Sequence, residues 1–459
     1  MEKLNFQDSA FLRLESQNHP FHVAGLVILK LPEDAPANYL SRLAARCGRL
    51  NELWPQLDKK LSHPDEPDKS GWVPEEDYQA RRHVLHYALP ASGTMADLMQ
   101  LVTRAHERQL DRNRPLWEFH IIEGLPRNRF ALYCKIHHAL VDGAGALEMS
   151  RALLSPSPDK VIGLAEQRQV VQQHHERHGV LQELSDSGRK LMKQYKALPE
   201  LSALLAGMGM AALRGSNDTM KLPYTAPRSI FNTEIDSNRQ LIVTDLPLKK
   251  VKAMARTTGG SINDVLLAVC GGAIRRYLWE NNALPRKSLV AGVPVAVKTA
   301  EKSGGNQLSF ILCPYFTNER NALKRLRSVI RVTRSAKKKL AAVSETAAQD
   351  YTNLILMPTV LLTLTGNATR VNPAINAIFS NVPGSQEKLY LEGSEVEAIY
   401  PLSVVTAGMG LNLTVLSYSN KLCFAITSCP TEQPGIEKLG KYLKESFREL
   451  AEAISQEPS

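Results

Sequence analysis

Hydrophobic and polar residues alternate along several segments of the chain, which is the pattern of β-strands with one buried face. Other segments place apolar residues every three or four positions, as amphipathic helices do. The strand pattern covers residues 22–31, 129–137, 239–248, 288–297, 306–316 and 421–429, and the helix pattern covers 96–110 and 146–154. Strands that alternate with helices in this way predict an α/β fold.

The chain is longer than one ordinary hydrophobic core supports, since it has 459 residues. Strand and helix patterns fill residues 1–154 and return from 228 to the end. Between them, the turn-rich segment SPSPDK is followed by polar, helix-forming sequence. We therefore predict two α/β domains, 1–154 and 228–459, joined by a helical connector at 155–227.

The net charge of the chain indicates what kind of partner it binds. The net charge of +10 favours an anionic partner, but only 6% of residues are aromatic and no nucleic-acid-reading motif is present, so nucleic acid is not expected. The segment 324–339, KRLRSVIRVTRSAKKK, predicts a basic amphipathic helix. Such a helix either lies on anionic lipid or packs on its own domain with a solvated basic face, and the sequence leaves both open.

Two strongly apolar segments, 201–213 and 354–364, are too short to span a membrane. The N-terminus lacks the long apolar run and cleavage site of a secretory signal. The six cysteines have no C-x-x-C spacing, and several lie in apolar strand segments, which predicts reduced core residues. Together these features predict a cytoplasmic protein.

Two adjacent histidines end one predicted strand, in the sequence RFALYCKIHHALVDG. The alternation of faces places His138 with the apolar positions and puts Lys135 and His137 on the opposite face. His138 is therefore predicted to point into the interior at the end of the strand, where clefts in α/β folds open. An imidazole there can act as a general base near neutral pH.

The residues after this pair have structural as well as chemical interpretations. Asp142 and Gly143 can form a turn and a helix N-cap, which would also hold the loop in a fixed shape. A metal site built on His137, His138 and Asp142 is disfavoured, because adjacent strand residues point apart. His174 and His178 are spaced for one helical face but lie in polar sequence, where a solvated face is expected. The segment GIEKLGKY (435–442) imitates a phosphate loop but lacks its Ser/Thr.

Two asparagines in the second half are further candidates. Asn263 lies in SIND (261–264), which has the form of a helix start with Ser261 as cap and Asp264 at the third helical position. Asn381 precedes Val-Pro-Gly, a sequence typical of a tight turn. Each asparagine either shapes the backbone locally or lines a site.

These motifs together carry a family resemblance. HHALVDG (137–143) matches the HHxxxDG signature of the coenzyme A-dependent acyltransferase superfamily, which peptide-synthetase condensation domains share. Three further elements accompany this motif: RPLWEFHIIEGL before it, and GGSINDVLLAVCGGAIRRYL and FSNVPGS after it. Their occurrence together in this order is more specific than the HHxxxDG signature alone. The chain resembles bacterial wax ester synthase/diacylglycerol acyltransferases over nearly its full length.

The resemblance implies two chloramphenicol-acetyltransferase-like domains, each an α+β sandwich, with the active site in a tunnel between them. It implies that acyl-CoA is the co-substrate and that no cofactor or metal is bound. His138 would deprotonate a fatty alcohol or diacylglycerol, whose oxygen attacks the thioester without an acyl-enzyme. Supporting roles would fall to His137, Asp142, Gly143 and Asn263, and substrate binding to Asn381, Asp264, Pro115, Leu116 and Trp117. For the last three, packing beside the histidine strand is favoured.

The implied enzyme would act peripherally on an anionic inner membrane or on lipid inclusions, because its substrates are oily. Two alternatives stay open at this point. One is a free-standing condensation-type acyltransferase that uses carrier-bound acyl groups. The other is a non-catalytic lipid-surface protein that has kept the fold.

Overall fold

A computed structural model describes residues 1–4, 6–90, 93–140, 149, 153–159, 187–215, 219–296 and 308–457. The helices of this part of the chain pack on two large mixed sheets. The helices are α1 Phe6–Leu14, α2 Tyr39–Cys47, α3 Met95–Glu107, α4 Ser187–Leu213, α5 Leu248–Thr257, α6 Ile262–Glu280, α7 Ala322–Ala341, α8 Glu345–Leu364 and α9 Leu439–Ser455.

The six predicted strands are present, and the described part of the chain contains nine more. Three short ones, β1, β3 and β4, form a small separate sheet, and the other twelve form two six-stranded sheets. The strands are β1 Glu2–Lys3, β2 His22–Lys30, β3 Lys59–Leu61, β4 Gly71–Pro74, β5 Val84–Ala88, β6 Trp117–Leu125, β7 Arg129–His137, β8 Gln240–Pro247, β9 Val290–Ala296, β10 Leu308–Pro314, β11 Ala377–Val382, β12 Tyr390–Leu391, β13 Ser394–Leu402, β14 Leu411–Tyr418 and β15 Lys421–Ser428.

The first large sheet has the order β12-β13-β2-β7-β6-β5, so the histidine strand β7 lies in its interior between β2 and β6. In register, His22 of β2 lies opposite His137 of β7. The second large sheet has the order β10-β9-β11-β14-β15-β8. Its strand β11 runs parallel to both of its neighbours, whereas β14 and β15 form an antiparallel hairpin.

Strand β13 departs from the simple division into two halves. It comes from the C-terminal part of the chain but pairs antiparallel with β2, from Glu395 opposite Lys30 to Leu402 opposite Ala24. The sequence did not reveal this pairing, because alternating hydrophobic and polar residues predict a strand but not its partner. The boundaries at 154 and 227 stay a prediction, and the first sheet draws residues 390–402 from beyond them.

Part of the predicted connector is helical, whereas its described ends at 155–159 and 219–227 are turns and irregular structure. Helix α4 begins at Ser187 and ends at Leu213, whereas residues 160–186 lie outside the described part. Most of the predicted helix at 146–154 lies outside it as well. The phosphate-loop imitation at 435–442 is helical: a short 3-10 turn, Ile436–Lys438, leads into α9.

Helices α7 and α8 expose different kinds of side chain. The apolar side chains of the basic helix α7, including Leu326, Val329 and Ile330, are buried in the core of the second sheet. The interpretation of α7 as a helix packed on its own domain is therefore confirmed. In contrast, α8 leaves large apolar side chains exposed on its outer face.

Helix α6 lies at the centre of the second half and is buried on nearly every side. Its pair Gly271-Gly272 allows this close packing. A Cβ at Gly271 would overlap the carbonyl oxygen of Tyr315, and one at Gly272 would overlap the hydroxyl of Ser446. Substitution of either glycine would therefore push α6 away from its neighbours.

Within the described residues, none of the helices combines the length and the apolar character that crossing a membrane requires. All six cysteines are free of disulfides, and five of them are buried. Burial raises the pKa of the Cys47 thiol to about 12. These cysteines are core residues, as predicted.

Candidate active site

The PLW element fixes the position of the histidine strand. Leu116 and Trp117 are fully buried at the start of β6, and the backbone carbonyl of Leu116 accepts a hydrogen bond from His137 N at 2.9 Å. The indole of Trp117 donates to the carbonyl of Leu57 at 2.7 Å. Pro115 is buried beside them. These contacts support the packing interpretation of all three residues, because no surface is left on Leu116 or Trp117 for a substrate.

The burial of the histidine pair is the reverse of the prediction. His137 and Lys135 are both fully buried, whereas His138 is only half-buried. The prediction was wrong because it assumed one buried face, and an interior strand such as β7 is covered on both faces. In addition, β7 ends at His137, so the two-residue period no longer applies to His138, which lies in the following turn.

The Lys135 side chain is buried against the end of helix α3. Its ammonium donates hydrogen bonds to the carbonyls of Ala105, at 2.9 Å, and of Arg108. A cation at a helix C-terminus satisfies carbonyls that the helix itself leaves unpaired. Burial nevertheless lowers the pKa of Lys135 to about 8. Lys135 therefore ties the histidine strand to α3 and has a structural role.

His137 forms part of a buried charged network with Glu15 and Arg112. Nε2 of His137 lies 3.4 Å from Glu15 Oε1, and Arg112 donates to Glu15 Oε2 at 3.1 Å through Nε. On the other side of its ring, Nδ1 of His137 accepts from Ala139 N at 3.0 Å. Because Nδ1 accepts, Nε2 carries the proton towards Glu15. His137 thus holds the turn that contains His138.

The Glu15 carboxylate is ionised in this network although it is buried. Burial alone would raise its pKa, but the hydrogen bond from His137, the amide of Phe21 and the charge of Arg112 together lower it. Arg112 also donates to the carbonyl of Leu12 at 2.6 Å, so it joins α1 to the loop after α3. The network connects three segments that are far apart in sequence.

His138 lies in an aromatic corner beside this network. Its backbone amide donates to the carbonyl of Phe21 at 2.9 Å, and its ring centroid lies 4.6 Å from that of Phe11. Phe11 in turn stacks on Phe21 with centroids 5.7 Å apart. The imidazole is therefore held in position from the backbone and from one ring face while part of it remains exposed. A general base needs this combination of fixed position and access.

Asp142 and Gly143, the other members of the HHxxxDG motif, lie outside the described residues. His174 and His178 also lie outside them. Among the residues that the structure does describe, no group of three or more His, Cys, Asp or Glu side chains is arranged to hold a metal ion.

The two asparagines predicted separately are brought together by the fold. The side-chain nitrogen of Asn381, on strand β11, donates to the side-chain oxygen of Asn263, in the first turn of α6. Asn381 lies within the strand rather than in the turn that follows it. Both side chains are partly buried, and within the described part of the chain no partner contacts the amide nitrogen of Asn263. That nitrogen is an available donor.

Comparisons with known proteins identify the family of the chain. The family model for the wax ester synthase/diacylglycerol acyltransferase catalytic domain matches residues 4–266, and the model for the C-terminal domain of that family matches 304–451. The chain belongs to this family. The predicted family and the predicted acyltransferase class are confirmed.

Relatives and solved structures extend over the whole chain. O-acyltransferase WSD of Acinetobacter baylyi is 31% identical over 100% of this chain and 98% of its own. A protein of Mycobacterium tuberculosis named as a candidate diacylglycerol O-acyltransferase is 33% identical over 97% of this chain and 99% of its own.

The fold agrees as well. The structure of the wax ester synthase/diacylglycerol acyltransferase from Marinobacter aquaeolei VT8 matches with a TM-score of 0.77 and 30% identity, and covers 99% of this chain and 100% of that one. The first condensation domain of the calcium-dependent antibiotic synthetase, 13% identical with a TM-score of 0.56 and coverage of 99% and 96%, shares the fold alone. The predicted mixed α/β fold of the chloramphenicol-acetyltransferase type is confirmed.

In this acyltransferase, Asp264 serves the helix start. One of its oxygens accepts from the backbone amide of Ser261 at 2.7 Å, and the other accepts from the Thr333 hydroxyl at 2.6 Å. The hydroxyl of Ser261 accepts in return from the amide of Asp264, which completes a capping box. Both carboxylate oxygens of Asp264 are occupied inside the protein. The structure supports the capping role rather than contact with a substrate.

Sequence reasoning missed Glu15, Arg112 and Phe11. Glu15 ends an apolar helical segment, FLRLE, and an acid at that place is ordinarily a solvated residue. Its partners lie 97 positions away at Arg112 and still further at His137. No spacing rule connects residues so distant, so the network appears only in three dimensions.

The Asn263–Asn381 hydrogen bond predicts coupled effects on the reaction. If the pair acts as one unit, Asn263→Ala and Asn381→Ala should each lower kcat about 10-fold or more, and the double variant should lose much less than the product of the two. The measurement is a double-mutant cycle on kcat and kcat/KM. Strictly additive losses in log kcat would show that the two side chains act separately.

Proposed function

We propose that this acyltransferase moves a long-chain acyl group from acyl-CoA to the hydroxyl of a fatty alcohol or of diacylglycerol. The names of its relatives support the reaction class. The observation that carries the proposal is the placement of His138, half-buried at the end of β7 and held by Phe21 and Phe11. No other described histidine combines partial exposure with the HHxxxDG motif.

In the proposed mechanism, His138 removes the proton from the acceptor hydroxyl as its oxygen attacks the thioester carbonyl. The carbon–oxygen bond forms, the carbonyl electrons move onto the oxyanion, and their return breaks the carbon–sulfur bond. The imidazolium then gives its proton to the departing coenzyme A thiolate, so that the products are an ester and free thiol. Asn263, through its amide nitrogen, is the proposed side-chain donor to the oxyanion. This route needs no bound cofactor, metal or acyl-enzyme, and acyl-CoA is a co-substrate.

We propose that the reaction takes place at the surface of an anionic membrane or of a lipid inclusion on the cytoplasmic side. Long-chain alcohols and diacylglycerols partition into lipid, so an enzyme in water alone would meet few of them. The net charge of +10 favours an anionic surface.

The test follows thiol release from palmitoyl-CoA by the full chain, with hexadecanol, with dipalmitoylglycerol and without any acceptor. We expect release that depends on the hydroxyl acceptor, with an equal amount of ester formed. Acyl transfer from a carrier protein with no use of acyl-CoA would instead indicate a condensation-type enzyme. Absence of transfer from either donor would indicate a non-catalytic lipid-surface protein.

A further inference from the structure

The apolar outer face of α8 has no covering element in the described part of the chain. Of its five large exposed side chains, Leu356 lies apart, and the other four are spaced by three, four and three positions, which places them on one side of a helix. They are 39%, 43%, 62% and 51% exposed for Leu354, Met357, Leu361 and Leu364, respectively. The opposite side of the helix, with Tyr351 and Ile355, is buried. A helix that is apolar all round is normally covered on every side.

The hydroxyl groups of α8 do not make this face polar. Thr359 donates to the carbonyl of Ile355 at 3.1 Å, and Thr363 donates to that of Thr359 at 2.9 Å. Each hydroxyl is therefore paired with the backbone of its own helix four residues earlier. No charged residue occurs between 351 and 369. This face can therefore be removed from water without burying a charge or an unpaired hydroxyl donor.

Helix α4 extends this face. It packs against α8, and Glu200 of α4 accepts a hydrogen bond at 2.7 Å from the amide of Ser344, just before α8. Beyond it, residues 201–213 contain no charge, and Met210 and Leu213 are 55% and 89% exposed. We call the exposed apolar side chains of α4 and α8 the apolar face. The two helices contain the apolar segments 201–213 and 354–364, which are too short to span a membrane.

Basic residues border the apolar face. Arg214 and Arg370 are exposed and directly follow the uncharged segments of α4 and α8, respectively. At the end of α7, Lys339 donates to the hydroxyl of Thr219 at 2.6 Å, which places this lysine-rich helix end just beyond α4. An apolar surface with a basic border matches an anionic lipid surface. A second copy would bring the same basic border against itself.

The helix that carries most of the apolar face also contacts the element beside the candidate base. Helix α1 packs against α8, and Phe11 of α1 contacts the ring of His138. We propose that the apolar face of α4 and α8 is the surface with which the enzyme rests on anionic lipid, whereas α7 adds only charge. This inference names the surface for the lipid association in the proposed function and rests on that association, but not on the chemistry of His138.

The test compares two triple variants of the full chain. Met357→Gln, Leu361→Gln and Leu364→Gln remove the apolar side chains with a residue that suits helices. The matched variant, Lys324→Gln, Lys337→Gln and Lys338→Gln, removes three exposed charges from α7. Binding is measured by co-sedimentation with phosphatidylcholine vesicles, with and without phosphatidylglycerol. Unfolding in urea confirms that both variants fold.

We expect the α8 variant to bind vesicles about 100-fold more weakly, because apolar area no longer enters the lipid. The α7 variant should lose only the part of binding that depends on phosphatidylglycerol and on salt. Transfer from acyl-CoA to a short, water-soluble alcohol should persist in the α8 variant.

Three outcomes would overturn the proposal. A greater loss of binding in the α7 variant than in the α8 variant would identify the basic helix as the lipid-binding surface. A wild-type dimer that the α8 substitutions convert to a monomer would identify a second copy as the occupant. Wild-type enzyme that transfers acyl groups without binding vesicles would refute the lipid surface and leave the proposed reaction intact.

Discussion

Replacement of His138 by alanine is expected to lower kcat/KM for the hydroxyl acceptor by about 10²–10⁴-fold, the usual contribution of a general base. The backbone contacts of this residue do not depend on its side chain, since its amide bonds to the carbonyl of Phe21. The variant should therefore fold normally. The measurement is acceptor-dependent thiol release at saturating acyl-CoA.

A matched histidine provides the control. His86 lies on the edge strand β5, away from the β7 turn, and 34% of its side chain is exposed. Its Nε2 lies 3.7 Å from Oε2 of Glu123. His86→Ala should leave kcat/KM within about 2-fold of the wild-type value, as expected for a surface substitution. If His138→Ala were as active as His86→Ala, the proposed base would have to be abandoned while the family assignment would stand.

Glu15→Gln is expected to reduce the free energy of unfolding by about 2–4 kcal/mol at neutral pH. The substitution keeps the size of the side chain but leaves the buried end of Arg112 without its counter-ion, and breaking a buried ion pair is costly. It also removes the charge that faces Nε2 of His137. Urea unfolding followed by tryptophan fluorescence would measure the loss.

The pH dependence of this loss tests its cause. The folded protein lowers the pKa of Glu15 below the ordinary value of 4.5, so the folded state binds fewer protons than the unfolded state as the solution becomes acidic. The advantage of wild type over Glu15→Gln should therefore be complete above about pH 5 and shrink as the pH falls through the folded pKa.

An exposed pair is the control for the buried one. On the surface, Oε1 of Glu52 lies 2.6 Å from Nε of Arg49. Glu52→Gln should lower the free energy of unfolding by no more than about 1 kcal/mol. If Glu15→Gln cost as little at neutral pH, the network around His137 would contribute nothing measurable to the fold.

Much of the fold could be predicted from local pattern. Strand β7 was predicted with its observed ends, and β2, β8 and β15 within a residue or two, because half-buried strands alternate in composition. The helix start at Ser261 could be predicted because its capping box is local. Chemistry that depends on a few neighbouring residues can be recognised in the sequence.

What could not be predicted depends on distant partners. The burial of Lys135 and His137 follows from the elements that cover the second face of β7, and alternation contains no information about them. The pairing of Asn263 with Asn381 joins a helix start to a strand 118 positions later. Each residue could be selected as a candidate alone, but only the packing of this helix start against the strand brings the two together.

The exchange of β13 into the first sheet has a consequence for how the chain is made. Until residue 402 has left the ribosome, β2 has an open edge, and unpaired edges invite contact with other chains. The histidine strand is the next strand inward, so its sheet is completed only after most of the polypeptide has been synthesised. A fragment that ends before β13 would lack this cover, and the N-terminal half should accordingly need its C-terminal half in order to remain monomeric.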